Sequence, residues 1–171
     1  MGGRTLQLLG LQPMAAARHV AFLTDELEIV GWHVETAGPR GVFDGGSHLD
    51  HIVDPATAGA RLAHRHLRLL ADAVDLVHAH GRAASELAVA SDIGVPIVST
   101  WYGEELDTSH RNDRRLSRKV SAVIAATPAV AAQADDRARV AIIRPAVGPP
   151  RTTRAAGDVR AELGLDVFGP S

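Results

Sequence analysis

Residues 74–103, VDLVHAHGRAASELAVASDIGVPIVSTWYG, constrain this chain more than any other stretch. Residues 75–80 form a short apolar run that closes on His80-Gly81. Residues 85–92 carry small and apolar side chains at helical spacing, and residues 95–101 form a second apolar run before Tyr102-Gly103. A strand, a crossover helix and a strand in that order predict a parallel βαβ unit. Ligands of open α/β sheets sit outside the carboxyl ends of the strands. His80, Gly81, Tyr102, Gly103 and Glu104 fall at such ends and are the first candidates for a binding site.

The remaining sequence supplies more of the same alternation. Residues 5–11 read as a first strand, apolar enough for burial on both faces. Gln12-Pro13 breaks it, and a helix is expected over 14–30, with Ala16, Val20, Leu23, Leu27 and Val30 near one stripe. A second strand over 32–37, a glycine-rich loop over 38–46 and a short third strand over 48–53 follow. Pro55 leads into a helix over 56–73 with an exposed face of Arg61, His64, Arg65 and Arg68. After 103 come a polar loop to Asn112, a basic helix over 113–120 and a strand over 122–126. Thr127-Pro128 is a helix start, a capping hydroxyl with proline at the first helical position. A helix over 129–134 and a last strand over 139–144 complete the pattern. It predicts an α/β fold, a doubly wound, mostly parallel, Rossmann-like sheet with helices on both faces. Residues 1–150 read as one domain, and 151–171 as a linker with the last turns of a helix.

Composition removes several classes of function. Eighteen basic against 20 acidic residues leave a net charge of −2, which argues against a general nucleic-acid binder. Cysteine is absent, so disulfides, thiolate chemistry and cysteine-zinc sites are excluded. No apolar run reaches the roughly 18 residues of a membrane span, and a cytoplasmic location is expected. No G-x-G-x-x-G follows the first strand, and P-loop, G-x-S-x-G and H-E-x-x-H patterns are missing.

The candidate site residues are read one at a time. His78 and His80 lie two apart on a strand and share a face. No spacing ties a third ligand to them, so no metal is expected. His78 reads as a core histidine bonded to backbone, and His80 as facing the cleft. Tyr102 and Glu104 pair an aromatic with a carboxylate, which suits a hydroxyl-rich ligand. Pro13, Met14 and Ala15 precede or open the first helix on the same side, where a helix N-terminus attracts phosphate. Arg111, Arg114, Arg115, Arg118 and Lys119 form a basic set suited to phosphate groups or an anionic membrane surface.

Four segments in this order carry a resemblance: DLVHAHG (75–81), GVPIVSTWYG (94–103), RRLSRKVSAVIAATPAV (114–130) and VAIIRP (140–145). Together they resemble the N-terminal half of a GT-B glycosyltransferase of the retaining, nucleotide-sugar-dependent type. Residues 17–39 resemble the same family's first helix and second strand. The resemblance implies an acceptor-binding Rossmann-like domain that works with a donor-binding domain across a cleft. It implies a nucleotide-sugar as co-substrate, with no tightly bound cofactor, and a sugar or lipid-linked acceptor. His80, Gly81, Thr100, Tyr102, Gly103 and Glu104 would line the acceptor side, and Pro13, Met14 and Ala15 the donor-phosphate side. No catalytic residue is assigned.

The sequence departs from that family in three places. The glycine-rich turn before the first helix is replaced by Gln12-Pro13-Met14-Ala15-Ala16. Tyr102 stands where the family often has histidine before glycine, and a phenol is no neutral-pH base. AELGLD (161–166) resembles the linker into a second domain, which is expected to be missing, leaving a chain inactive alone. The implied partners are a separately encoded donor-binding domain or a second copy, and a peripheral contact with the inner membrane face through the basic set. A non-catalytic binding domain derived from such an enzyme is the alternative, and an epimerase of GT-B architecture a third.

Overall fold

The computed structural model describes residues 2–10, 14–42, 49–103 and 110–144. The readings of Pro13, Glu104 and 151–171, and parts of the 38–46 and 48–53 readings, lie outside the described residues. The elements run β1 (Arg4–Leu9), α1 (Met14–Ile29), β2 (His33–Gly38), β3 (His51–Ile52), α2 (Pro55–Ala58), α3 (Ala60–Ala71) and β4 (Leu76–His80). They continue with α4 (Gly81–Ala90), β5 (Ile97–Trp101), α5 (His110–Ser117), β6 (Ala122–Ala125), α6 (Pro128–Ala131) and β7 (Val140–Ile142). One seven-stranded sheet results, in the order β3-β2-β1-β4-β5-β6-β7. Every pairing is parallel, so the doubly wound Rossmann-like architecture is present in full.

Period-two alternation sorts the strand residues between two unlike faces. On one face Leu6, Leu8, Val77, Ala79 and Ile97 pack against Ala63, Leu67 and Ala71 of α3 and Ala84 and Ala88 of α4. Leu6, Leu8 and Leu67 are fully buried, each contributing about 2 kcal/mol relative to exposure. That side continues into a second cluster, where Trp101, Val123 and Ala125 meet Leu116 of α5 and Val130 of α6. On the other face Leu9 packs with Val20 of α1 and with Val42. The neighbours of Leu9 on that face are polar: Thr5 and Gln7 on β1, His78 and His80 on β4, and Thr100 on β5, all buried. The first strand is thus buried on both sides, but one side encloses hydrogen-bonding groups.

Several element boundaries differ from the sequence expectation for identifiable reasons. The helix expected over 56–73 is two, because Gly59 takes φ +80° between them. Asp54 caps the first of these by accepting from Ala56 N at 2.9 Å. The helix expected over 85–92 begins at Gly81, directly from the extended His80. The helix expected from residue 113 begins at His110. Val30 lies past the end of α1 and is 67% exposed, off the expected stripe. Thr127 caps α6 as expected, accepting from Val130 N at 3.2 Å.

Candidate functional site

β1 and β4 are neighbours in the sheet but not in sequence: the chain leaves β1 for β2 and β3 and returns to β4 on the other side. This reversal is the topological switch point, where open α/β sheets take their ligands. The register sets Leu9 opposite His80, and His80 opposite Thr100. The carboxyl ends of β4 and β5 thereby bring His80, Gly81, Tyr102 and Gly103 to one edge of the sheet. Met14 opens α1 after β1, on that same edge.

A hydrogen-bonded network crosses the switch point. His80 Nε2 lies 2.7 Å from Gln7 Oε1. His80 Nδ1 lies 2.8 Å from Tyr102 Oη. Gln7 Nε2 donates in turn to Thr5 Oγ1 at 3.5 Å. His78 Nε2 and Thr100 Oγ1 are 2.7 Å apart. The rings of His78 and His80 stack at a tilt, 4.1 Å between centroids. His19 of α1 sets its ring edge-on to both His80 and Tyr102, at 6.3 and 6.0 Å.

Burial governs the protonation of this cluster. Desolvation, with a smaller push from His19, lowers the His78 imidazole from 6.5 to about 4. His80 is pushed well below its ordinary range, first by burial and then by His78 and His19. Both rings are therefore neutral at pH 7, and each offers one donor and one acceptor.

These positions refine the sequence reading. His80 is fully buried rather than facing the cleft, and it is hydrogen-bonded to the half-buried Tyr102 at the rim. Thr100 is buried against His78. The partner of His78 is that hydroxyl, a side chain and not the expected backbone group. Gly81 is buried at φ +82° and Gly103 is half-buried at φ +98°. A Cβ on Gly103 would come within 2.9 Å of Val130 Cγ2, so this turn admits glycine for both conformation and space. Met14 and Ala15 lie in the first turn of α1. Gln7 and His19 were missed. Gln7 carried a signal, being the polar residue inside an otherwise apolar strand, and His19 carried none that spacing reveals.

A second set of buried hydroxyls holds the β4–α4 turn in place from the opposite face. Trp101 Nε1 donates to Ser99 Oγ at 2.7 Å. Ser99 is hydrogen-bonded to Ser85, whose hydroxyl donates to Gly81 O at 2.7 Å. This chain of donors ties the end of β5 to the residue after His80.

The basic set lies elsewhere. Arg111, Arg114, Arg115, Arg118 and Lys119 are all exposed on or just after α5, whose Leu116 packs on the Trp101 side of the sheet. Arg118 approaches Asp135 at 3.8 Å. Among the described residues no group of three or more His, Asp or Glu side chains is arranged to hold a metal ion. No described helix is long and apolar enough to cross a membrane.

No family model matches the sequence, and no curated protein matches it. Solved structures do resemble the fold. HepE from Anabaena, in complex with UDP-glucose, is 16% identical, with a TM-score of 0.66 over 96% of this chain and 50% of its own. MurG from Acinetobacter baumannii is 15% identical, with a TM-score of 0.59 over 88% of this chain and 46% of its own. A UDP-N-acetylglucosamine 2-epimerase is 13% identical, with a TM-score of 0.56 over 78% of this chain and 44% of its own. The chain thus spans half or less of the length of each. At such identities the likeness establishes a shared Rossmann-like fold.

Proposed function

We propose that this chain is the acceptor-binding half of a glycosyltransferase that uses a nucleotide-sugar, and that it is inactive without a donor-binding half. The observation that carries the reading is the polar network at the β1–β4 switch point, which ends at the rim in Tyr102. A phenol beside a glycine turn suits hydroxyl groups. The ordered sequence segments and the neighbours' fold support the same reading. HepE was solved with UDP-glucose, and its domain architecture is about twice the length of this chain.

In this account Tyr102, with Gly81 and Gly103 shaping the turns, meets acceptor or sugar hydroxyls. Glu104 adds a carboxylate to that group in the sequence. The donor phosphates are held mainly by the other half, with Met14 and Ala15 at the α1 N-terminus beside them. The exposed cations from Arg111 to Lys119 provide a peripheral contact with an anionic membrane, where a lipid-linked acceptor would be found.

The test uses the whole chain. Calorimetry with methyl glycosides of glucose and mannose should show weak binding, and Tyr102→Phe should weaken it by about 1 kcal/mol, roughly fivefold. Incubation with UDP-glucose and the same glycosides should release no UDP above background. Sustained UDP release, or UDP-glucose binding tighter than that of the glycosides, would show the reading to be wrong.

A second reading, a binding domain without a catalytic role, is favoured by one observation. His80, at the end of β4, is neutral and enclosed, and both its ring nitrogens are hydrogen-bonded, so it has no free nitrogen to act as a base. Retained glycoside binding with no transfer in any mixture with a donor-binding domain would support it.

A further inference from the structure

From β3 onward the helices of this fold all lie on one face of the sheet. Residues of α3 and α4 pack there with Leu6, Leu8 and Val77, and Leu116 of α5 and Val130 of α6 meet Trp101, Val123 and Ala125. A parallel sheet wound in one direction with right-handed crossovers places every connection on the same side. The helix after a strand covers that strand and the next: α4 lies on β4 and β5, and α6 on β6 and β7. β7 has a helix before it but, among the described residues, none after it.

Two side chains are left uncovered as a result. The register sets Val140 opposite Val123 and Ile142 opposite Ala125, so both point to the helix-covered face. Val123 and Ala125 are fully buried there, yet Val140 is 39% and Ile142 54% exposed. An apolar strand at a sheet edge is an open template for another chain, and native sheets cover such edges with a helix or loop. Arg139 and Arg144 stand exposed at the two ends of β7.

Residues 145–171 continue directly from this strand. In them Ala156, Val159 and Leu163 recur at the i, i+3, i+7 spacing of one helix face, and Gly164 is a C-terminal stop. Asp158 and Glu162 each precede an apolar residue of that stripe, so two carboxylates border it. We propose that residues 155–163 are the next helix of the series and dock on Val140 and Ile142 beside α6, with Asp158 and Glu162 toward Arg139 and Arg144. The connection over 145–154 spans up to about 30 Å when extended, ample to return over a strand of three residues. A second copy fits the edge less well. Antiparallel pairing of two β7 strands about Ala141 would set each Arg139 beside the other copy's Arg144, like charges together. The inference is independent of the acceptor-side reading of the rim.

The chain has no cysteine, so engineered pairs in the full chain report without background. On oxidation in dilute solution, Ile142→Cys with Leu163→Cys should form an intramolecular disulfide at least about tenfold faster than Ile143→Cys with Leu163→Cys, because residue 143 lies on the opposite face. Equal rates for the two pairs, or thiols that stay reduced in both, overturn the proposal. Disulfide-linked dimers as the main product assign the edge to a second copy and overturn it as well. Methyl NMR on a chain with β7 unaltered gives a second measurement. Leu163→Ala should shift the Val140 and Ile142 methyl resonances and leave those of Ile29 and Leu62, exposed on other elements, in place. Val140 and Ile142 methyls that do not respond to that substitution overturn the docking.

Discussion

His78 and His80 give up their charge to the fold, and that has a consequence for pH. A histidine whose folded pKa lies below its unfolded value binds more protons when unfolded. Stability is therefore highest above the unfolded value near 6.5 and falls with acidification until the folded value is reached, about 4 for His78. Over that window His78 alone removes roughly 3 kcal/mol, and His80 acts in the same direction. Glu35 adds a separate loss at lower pH. Its carboxyl is held below 4.5, chiefly by a hydrogen bond from His51 at 2.8 Å, so its contribution disappears as pH falls through that depressed value. Urea unfolding between pH 7 and 4.5 should show stability dropping steeply. His78→Gln should flatten the slope by about one proton's worth, roughly 1.4 kcal/mol per pH unit. At the neighbouring turn, Gly103→Ala should cost about 1–3 kcal/mol through strain at positive φ and the Val130 contact. A midpoint unchanged by that substitution would contradict the geometry of the rim.

At the scale of elements, the β4–α4–β5 unit depends on its buried hydroxyls. Ser99→Ala should strand the Trp101 indole N–H and loosen Ser85 from Gly81, costing about 1–3 kcal/mol in thermal or urea unfolding. A change within a few tenths would mean that water replaces the hydroxyl. The elements themselves were legible in the sequence. Apolar runs ending in His80-Gly81 and Tyr102-Gly103 marked both strands, because strand termini carry turn residues whatever the fold around them. The start of α4 was not legible. Gly81 looked like part of a loop, yet it opens the helix without an intervening turn, its carbonyl held by Ser85. Gly59 was hidden for the opposite reason: the periodicity of 56–73 continues across it, and only its φ of +80° separates α2 from α3.

At the scale of the whole molecule, the site is a product of register. Gln7 and His80 are 73 residues apart, and His80 and Tyr102 are 22 apart. Nothing in local spacing joins them; the parallel order β1-β4-β5 does. The sequence therefore revealed the sheet, but not that one face is a polar interior with neutral histidines. The basic residues from Arg111 to Lys119 lie toward the opposite face of the sheet, and we propose them as a separate surface. Each should add about 1 kcal/mol of attraction to anionic lipid, so Arg114→Glu with Arg115→Glu should abolish salt-sensitive sedimentation with phosphatidylserine vesicles. Binding that survives both changes would refute that role.

The central claim is that the rim at β4 and β5 takes hydroxyl groups, while the nucleotide is held by another half of the architecture. Amide chemical-shift mapping on the full chain tests it directly, comparing UDP-glucose with UDP. The account predicts that the glucose moiety shifts Gly81, Tyr102 and Gly103 and that UDP leaves them in place. Equal shifts of these three amides by UDP alone would contradict it.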